Sequence, residues 1–501
     1  MSVLSSVINL PTRYAPVPAM PVAKLRHVGT HCRYPNVLGA VREWFGFSVH
    51  YAPVDIPWFL LGWTNYWGYN ETANTGSLQI TTGLEYPLNR DDLQIVEYRG
   101  AHVGTGVGGA DIFSDGMRPD TVIRAGTWYG LWHFHANPNA GIPFNYGGPQ
   151  PWANNAANGL SIITGTVGNV INHLMFTATA VERRALVNTD ATSNQHITPM
   201  CILTDSDVRS FGLLTDSRGA GMASASPYNF DYVSDASLLQ CAAERVFGPL
   251  GPWMNLGAVS DGAGNFIGGY GGRRHNFLRF VTDVFNGYGT NDFSGAADSA
   301  SLIALDAKVK SLSNIRGKKF WGGTIPPRTT STDESTTLAN QTVTAADQRR
   351  RDLNAYRLSQ PAIYDGGVLD FASVVEDPVT HVWKANGIQT TGAINSGSNV
   401  FTATAAVFLP AHTGKTIYIA GAGASAAALV ARMVYVSPTI VNLVNAITGA
   451  AVNAGTSVAA ATTYVNCREW SADRIHETQF ACQQYAAQLG PAAAAMAAAT
   501  A

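Results

Sequence analysis

Short runs of aromatic and β-branched residues, separated by clusters of glycine, proline and asparagine, characterise the chain up to about residue 196. The clearest runs are residues 77–82, 93–98 and 127–135. Many short strands between turn signals are typical of two packed antiparallel sheets. The pattern therefore predicts an N-terminal all-β sandwich, jelly-roll-like, over residues 1–196.

The pattern changes from residue 197, where short apolar runs alternate with longer stretches of helical character. This alternation predicts an α/β domain with a doubly wound, mostly parallel sheet. The strand candidates are 211–214, 253–256, 281–286, 319–322 and 367–371, and the helical candidates are 236–246, 300–311, 345–358 and 477–489.

A third texture interrupts the α/β pattern between residues 386 and 464, where charges are few and alanine, glycine and threonine dominate. We interpret this segment as a small β module inserted into the α/β domain, which then comprises residues 197–385 and 465–490. The alanine-rich residues 491–501 predict a frayed tail.

Composition narrows the class of protein. Charged residues are 13% of the chain, glycine numbers 50, and the net charge of −2 gives no reason to expect nucleic acid or an anionic membrane as partner. The five cysteines show no CxxC spacing, so neither a zinc site nor a disulfide framework is indicated. We find no signal peptide and no transmembrane span, and expect a soluble protein, cytoplasmic unless it is carried by a virion or released by lysis.

Two features of the N-terminal region have a chemical and a structural interpretation. The aromatic residues Trp58, Trp63, Tyr66, Trp67 and Tyr69 could form a carbohydrate-binding surface, but filling the core of the sandwich is the favoured interpretation. His133 and His135 alternate onto one face of a strand. Without a third ligand a structural role is favoured over metal binding.

Candidate chemistry begins where the strand 211–214 ends, at Thr215-Asp216-Ser217. A serine at the carboxyl end of a parallel strand lies where open α/β sheets bind ligands, although Asp-Ser is also an ordinary turn or helix cap. Three further blocks follow in order: residues 255–266, residues 289–292 (Gly-Thr-Asn-Asp), and Asp473-Arg-Ile-His476 before the final helix. We call 255–266 the second block and 289–292 the third block.

Together these blocks resemble the SGNH (GDSL-type) hydrolase superfamily, over roughly residues 197–385 and 465–490. The resemblance implies that Ser217 is the nucleophile, His476 the base that takes its proton, and Asp473 the residue that orients His476. It also implies three oxyanion donors: the backbone N–H of Ser217, a backbone N–H of the second block, and the side-chain amide of Asn291.

The sequence departs from the family at three points. Thr215 occupies the position of the glycine in Gly-Asp-Ser. The second block offers either Ser260, when aligned on Asp261, or Gly262, after a shift of one residue, as its donor. Thr204-Asp205-Ser206 duplicates the serine tripeptide, and Ser217 is preferred because an apolar strand precedes it and glycines follow it.

The resemblance predicts a serine esterase that works through an acyl-enzyme without metal or organic cofactor. Its expected substrate is a short acyl ester, above all an O-acetyl group on a polysaccharide. Residues 408–423 of the inserted module resemble short β units of phage tail proteins. The module could serve as a lid or glycan contact beside the active site, or it could be a plain insertion in a surface loop. The alternatives are a lipase or thioesterase of the same superfamily, or a non-catalytic glycan-binding or structural tail protein on an esterase fold. The sequence leaves a homo-oligomer open.

Overall fold

A computed structural model describes residues 24–30, 32–39, 43–137, 141–144, 178–187, 197–220, 252–359, 362–445, 449–471 and 473–499. The predicted helix at residues 236–246 lies outside these ranges. The strands of the N-terminal region are β1 (Leu25–His27), β2 (Cys32–Arg33), β3 (Val37–Gly39), β4 (Glu43–Tyr51), β5 (Leu60–Thr64), β6 (Tyr66–Trp67), β7 (Thr72–Ala73), β8 (Ser77–Glu85), β9 (Gln94–Ile95), β10 (Gly104–Val107), β11 (Asp111–Phe113), β12 (Trp128–Ala136), β13 (Ile142–Phe144) and β14 (Cys201–Asp205), and its helix is α1 (Ala180–Val187).

Two antiparallel sheets make up most of the N-terminal region. One has the strand order β1-β14-β5-β11, and the other has the order β10-β8-β12-β4 with β9 beside β8. Their inward side chains share one buried cluster, to which β5 gives Trp63 and β12 gives Leu131. Of the five aromatic residues at positions 58–69 considered for carbohydrate binding, Trp63 and Tyr66 are buried. These two rings therefore belong to the hydrophobic core. The jelly-roll topology itself stays a prediction.

His133 and His135 are also buried. His133 Nε2 lies 2.6 Å from the Ser48 hydroxyl. Burial lowers the pKa of His135 to about 3 and that of His133 well below its usual range, so both rings are neutral. Within the ranges listed above, no group of three or more His, Cys, Asp or Glu side chains is placed to hold a metal ion.

The predicted parallel sheet of an α/β domain is confirmed. Its strands run parallel in the order β2-β16-β15-β17-β18-β21, so β2 from the N-terminal region forms one edge. The further elements of this region are β15 (Phe211–Leu214), β16 (Trp253–Asn255), α2 (Gly272–Phe277), β17 (Asp283–Asn286), α3 (Ser299–Ser311), β18 (Lys319–Gly323), the hairpin β19 (Thr329–Ser331) and β20 (Gln341–Val343), α4 (Asp347–Ser359), β21 (Gly367–Leu369) and α5 (Phe371–Val375), with short helical turns at Ala263–Asn265, Phe266–Tyr270, Leu278–Phe280 and Asp292–Gly295.

Both faces of this sheet are covered, which explains why its strands read as continuous apolar runs. Leu213 of β15 points into the cluster formed with the final helix, α6 (Gln479–Ala499), whereas its neighbour Leu214 points into the cluster with α2 and α3. The period of two along a strand thus assigns alternate residues to the two layers.

The frayed tail predicted for residues 491–501 is wrong as far as residue 499, because α6 continues to Ala499 despite Pro491. Ala493 and Ala497 are buried in the same cluster as the sheet, and the carbonyl of Ala497 accepts a 2.8 Å hydrogen bond from Arg209. Alanine has the highest helix propensity, and its small side chain permits close packing on the sheet. Composition alone did not reveal that this run has a surface to pack on.

The inserted module is a closed six-stranded barrel. Its strands follow the order β22-β23-β26-β25-β24-β27 around the barrel. The interior holds alternate residues of each strand, for example Ile417 and Ile419 of β24. The elements are β22 (Ile388–Ile394), β23 (Val400–Ala403), β24 (Thr416–Ile419), β25 (Leu429–Ser437), β26 (Ile440–Val444) and β27 (Val458–Val465), with short helical turns at Pro410–His412 and Ala424–Ala426.

Strands cross the boundary that the sequence predicted at residue 196. β14 pairs with β1 and β5 of the N-terminal sheet, and β2 pairs with β16 of the parallel sheet. The N-terminal region and the α/β domain are therefore built partly from each other's residues. None of the helices in the described ranges is both long and apolar enough to cross a membrane.

Arg274 of α2 is the buried ion-pair centre where these two regions meet. Its guanidinium bonds the carboxylate of Glu71, from the N-terminal region, at 3.3 Å and that of Asp261 at 2.9 Å. It also donates to the carbonyl of Tyr69 at 3.0 Å, and its side chain is fully buried. One cation therefore neutralises a carboxylate from each region.

We predict that Arg274→Met lowers the free energy of unfolding by about 3–5 kcal/mol, because it leaves two carboxylates buried without their cation. Denaturant unfolding checks the change. Arg316→Met, at an exposed position, is the control and should stay within about 0.5 kcal/mol of wild type. Equal effects of the two substitutions would contradict the assignment of Arg274 as the ion-pair centre.

Candidate active site

The parallel sheet places two of the sequence blocks at one point of its carboxyl edge. β15 lies between β16 and β17, so the chain leaves it toward one side and later returns on the other. This reversal is the switch point at which open α/β sheets form their ligand crevices. Ser217 follows β15 and Asn291 follows β17, so both lie beside that crevice.

The turn at residues 215–220, which we call the serine turn, accommodates the branched side chain of Thr215. A Cβ atom on Gly219 would lie 2.0 Å from Thr215 Cγ2, and one on Gly257 would lie 2.6 Å from it. Two glycines that face Thr215 therefore leave room for its side chain. Asp216 shapes the turn by accepting a hydrogen bond from the Arg218 N–H at 3.0 Å.

Ser217, His476 and Asp473 form a chain of hydrogen bonds. Ser217 Oγ lies 2.8 Å from His476 Nε2, and His476 Nδ1 lies 2.6 Å from Asp473 Oδ2. A carboxylate only accepts, so Nδ1 carries the proton and Nε2 is left to accept from the serine hydroxyl. The structure thus brings together the three residues predicted as nucleophile, base and orienting acid.

The turn at residues 473–476, which we call the histidine turn, is fixed from several sides. Asp473 Oδ1 accepts from the backbone N–H groups of Ile475 and His476 at 3.0 and 2.8 Å. The carbonyl of Arg474, a residue with φ of 72°, accepts from the Thr329 N–H and the Trp383 ring, each at 3.1 Å. These bonds hold the imidazole at the serine.

Asp473 is ionised at neutral pH. Burial raises the pKa of its carboxyl, but the hydrogen bond and charge of His476 and the two N–H donors outweigh burial and lower it to about 2. A negative Asp473 can stabilise the imidazolium that forms when His476 takes a proton.

The third block holds the second block in place. The Asn291 amide donates to the Asp261 carbonyl at 2.7 Å, which uses one of its two protons. Asp292 accepts from the N–H groups of Ala263 and Gly264, both at 3.0 Å. The second amide proton of Asn291 is the one available to an oxyanion.

Ser260 and Gly262, the two candidates for the second-block donor, have different surroundings. Ser260 is exposed, with φ of 66°, and its N–H finds no partner among the residues the structure describes. Burial raises the pKa of the Asp261 carboxyl, and the N–H of Gly262 is close enough to this carboxylate to oppose the rise. An unpaired N–H favours Ser260 as the donor, and the assignment stays a prediction.

Sequence reasoning missed Asn36, which lies in the N-terminal region and supports the second block. Its amide donates to the carbonyl of Gly257 at 3.1 Å and its side-chain oxygen accepts from Val259 N–H at 2.7 Å. No local motif marks Asn36, because its role depends on the pairing of β2 with β16. Ser206, the rejected duplicate, instead follows β14, and its hydroxyl accepts from Val208 N–H.

No protein-family model matches this sequence, and no curated protein matches it. Solved structures do match. The chain is similar to a GDSL-like lipase from Bacteroides thetaiotaomicron, with 11% identity over 35% of this chain and 75% of that one and a TM-score of 0.25. It is also similar to a lipase/acylhydrolase from Enterococcus faecalis, with 17% identity over 34% and 78% and a TM-score of 0.24. A member of the lipolytic G-D-S-L family from Veillonella parvula matches with 15% identity over 33% and 80% and a TM-score of 0.24. Each similarity covers about a third of this chain.

Asp292 gives the site a testable pH dependence. Burial raises the pKa of its carboxyl to about 6, against the lowering effect of its two N–H partners and with the charges of Asp216 and Asp261 adding to the rise. The folded protein therefore holds this proton more tightly than the unfolded chain does. Its contribution to stability is complete below about pH 4 and is lost as the pH rises through about 6.

We predict that, between pH 4 and pH 7, the unfolding free energy of wild type falls by about 2–3 kcal/mol relative to that of Asp292→Asn, since the variant has no proton to lose at this position. Denaturant titrations across this range check the difference. Asp207→Asn, at an exposed position, is the control and should follow wild type at a constant offset. Parallel curves for Asp292→Asn and wild type would refute the prediction.

Proposed function

We propose that this chain is a serine ester hydrolase that works through an acyl-enzyme. The observation that carries the proposal is the continuous hydrogen-bonded chain from Ser217 through His476 to Asp473, at the switch point of the sheet. Serine is a weak nucleophile until a base takes its proton, and His476 Nε2 is placed to do so.

In the proposed reaction, Ser217 Oγ attacks the ester carbonyl while its proton passes to His476 Nε2. The oxyanion is held by the N–H of Ser217, the free amide proton of Asn291 and the N–H of Ser260. Collapse breaks the bond to the alcohol, which leaves with the proton from His476. Water then attacks the acyl-enzyme with His476 again as base, releasing the acid and restoring Ser217.

The substrate that we propose is a short acyl ester, above all O-acetyl, on a polysaccharide. Tyr418 and Tyr464 are cross-strand partners of the barrel, with ring centroids 5.5 Å apart, and both are partly exposed. Burial raises the pKa of Tyr464, and the nearby charges of Asp333 and Glu334 add to the rise. Glu334 Oε2 in turn bonds Arg474 of the histidine turn at 3.0 Å. Glu334 thus connects the ring pair with the histidine turn, and we propose that sugars of a polymer stack on these rings.

We predict that wild type hydrolyses p-nitrophenyl esters, fastest at acetate in a series up to dodecanoate, with EDTA present throughout. Ser217→Ala should lose about 10³-fold or more in kcat/KM, because the nucleophile is gone. Ser206→Ala is the matched control and should keep wild-type activity.

Labelling adds a readout that does not depend on the choice of substrate. A fluorophosphonate should modify Ser217 in wild type and leave Ser217→Ala unlabelled. A wild type that is no faster than Ser217→Ala on every ester and is not labelled would favour the non-catalytic glycan-binding protein. A rate maximum at long acyl chains would favour a lipase.

A second prediction concerns the polymer. Tyr418→Ala and Tyr464→Ala should raise KM for an acetylated polysaccharide about two- to tenfold, the equivalent of roughly 0.5–1.5 kcal/mol for a stacked ring, and leave p-nitrophenyl acetate hydrolysis unchanged. Acetate release gives the measurement. Tyr435→Ala, elsewhere on the same barrel, is the control, and an equal effect of all three substitutions would argue against stacking at this pair.

A further inference from the structure

The residues that directly follow the proposed nucleophile and base are themselves paired. Arg218 follows Ser217, Glu477 follows His476, and Arg218 Nη1 lies 3.5 Å from Glu477 Oε1. Both side chains are buried, 2% and 3% exposed. Two turns that are separated by more than half the chain are thus joined by an ion pair beside the contact between Ser217 and His476.

The guanidinium of Arg218 also binds the loop that follows β18. It donates to the carbonyls of Pro326 and Pro327 at 3.2 and 2.9 Å. Its Cζ atom lies 5.8 Å from the centre of the Trp383 ring, and that ring donates to the carbonyl of Arg474. Arg218 therefore connects the serine turn, the loop after β18 and, through Trp383, the histidine turn.

The Glu477 carboxyl is subject to opposing effects on its pKa. Burial raises the pKa of its carboxyl, the charges of Arg218 and His476 lower it, and Asp216 raises it. On the side of α6 it faces Tyr485, whose hydroxyl lies 3.4 Å from Oε1. Among the residues that the structure describes, the charged and titratable groups shown beside Glu477 are Arg218, His476, Asp216 and Tyr485. Of these four, Arg218 carries the full positive charge.

We infer that Arg218 and Glu477 are positioning residues, which set the distance between Ser217 and His476 and cancel each other's field at the imidazole. The inference rests on the proposed function. A buried ion pair contributes little net stability compared with apolar residues of the same volume, so stability alone does not account for its place next to both catalytic groups. Removing one partner leaves an unbalanced charge beside His476, and removing both does not.

The sign of the effect differs between the two partners. Glu477→Gln leaves the Arg218 cation, which disfavours imidazolium, so the acidic limb of the kcat/KM profile should move to lower pH. Arg218→Met leaves the Glu477 anion, which favours imidazolium, so the limb should move to higher pH. That upward shift should be the smaller one, because loss of Arg218 also promotes protonation of Glu477.

The experiment compares wild type, Glu477→Gln, Arg218→Met and the double variant on p-nitrophenyl acetate across the pH range. Each single substitution should lower kcat about 10- to 100-fold with KM within about twofold, because the reacting groups are displaced while the ester site is unchanged. The double variant should return the limb to its wild-type position. Selective ¹³C labelling of histidine should show the same opposite shifts in the titration of the His476 ring without turnover.

Arg357→Met is the control, since Arg357 forms a buried pair with Asp306 at 2.8 Å elsewhere in the same domain. It should lower stability and leave the pH limb unmoved. If Arg218→Met does not fold, Glu477→Gln and Arg218→Lys carry the test, with Arg218→Lys expected to keep the wild-type limb because its charge is retained.

The inference is overturned if Glu477→Gln leaves both the limb and the imidazole titration where they are in wild type. It is also overturned if every loss of kcat matches the fraction of unfolded protein. These outcomes differ from failure of the proposed function, in which wild type itself hydrolyses no ester and takes up no fluorophosphonate.

Discussion

The contact between Ser217 Oγ and His476 Nε2 is 2.8 Å long and joins residues 259 positions apart in the chain. The α/β domain is arranged so that its sheet and its final helix hold these two residues together. The parallel sheet brings Ser217 to its carboxyl edge. The histidine turn follows none of the strands of this sheet. Besides its hydrogen bonds to Thr329 and Trp383, it is anchored by α6, which begins three residues after His476 and packs on the sheet. The extension of that helix to Ala499 thus anchors the base as well as closing the core.

Buried charge supplies the fine positioning that the apolar layers do not. The chain has few charged residues, yet Arg218 and Arg274 are both buried against carboxylates or backbone carbonyls beside the serine turn and the second block. Burial raises the pKa of Asp292 there, and the nearby charges of Asp216 and Asp261 add to the rise. Arginine suits this role because it stays charged when buried and bonds several acceptors in a fixed plane. Directional hydrogen bonds from buried charged groups therefore shape the site, in addition to apolar packing.

The parts of this structure that could be predicted from sequence are those that local residue patterns determine. The apolar run at 211–214 predicted β15 with the bounds that it has, and the Asp-x-x-His spacing allowed a one-turn contact between Asp473 and His476. Asn36 and Glu71 could not be predicted to support the second block and Arg274, because their roles arise only when β2 joins the parallel sheet and the two regions meet. Gly219 and Gly257 were equally hidden, since only the folded turn shows that they make room for Thr215.

The barrel shows why a large insertion can precede the histidine turn without displacing it. Ile388 of β22 and Val465 of β27 are direct partners in an antiparallel pair, so the chain enters and leaves the barrel at neighbouring positions. Neighbouring strands lie about 4.8 Å apart, a gap that a short loop would span equally well. A closed barrel also has no free strand edge to compete with the parallel sheet. Arg468, just after β27, bonds Glu334, which also holds Arg474. The exit of the barrel is thereby tied to the histidine turn.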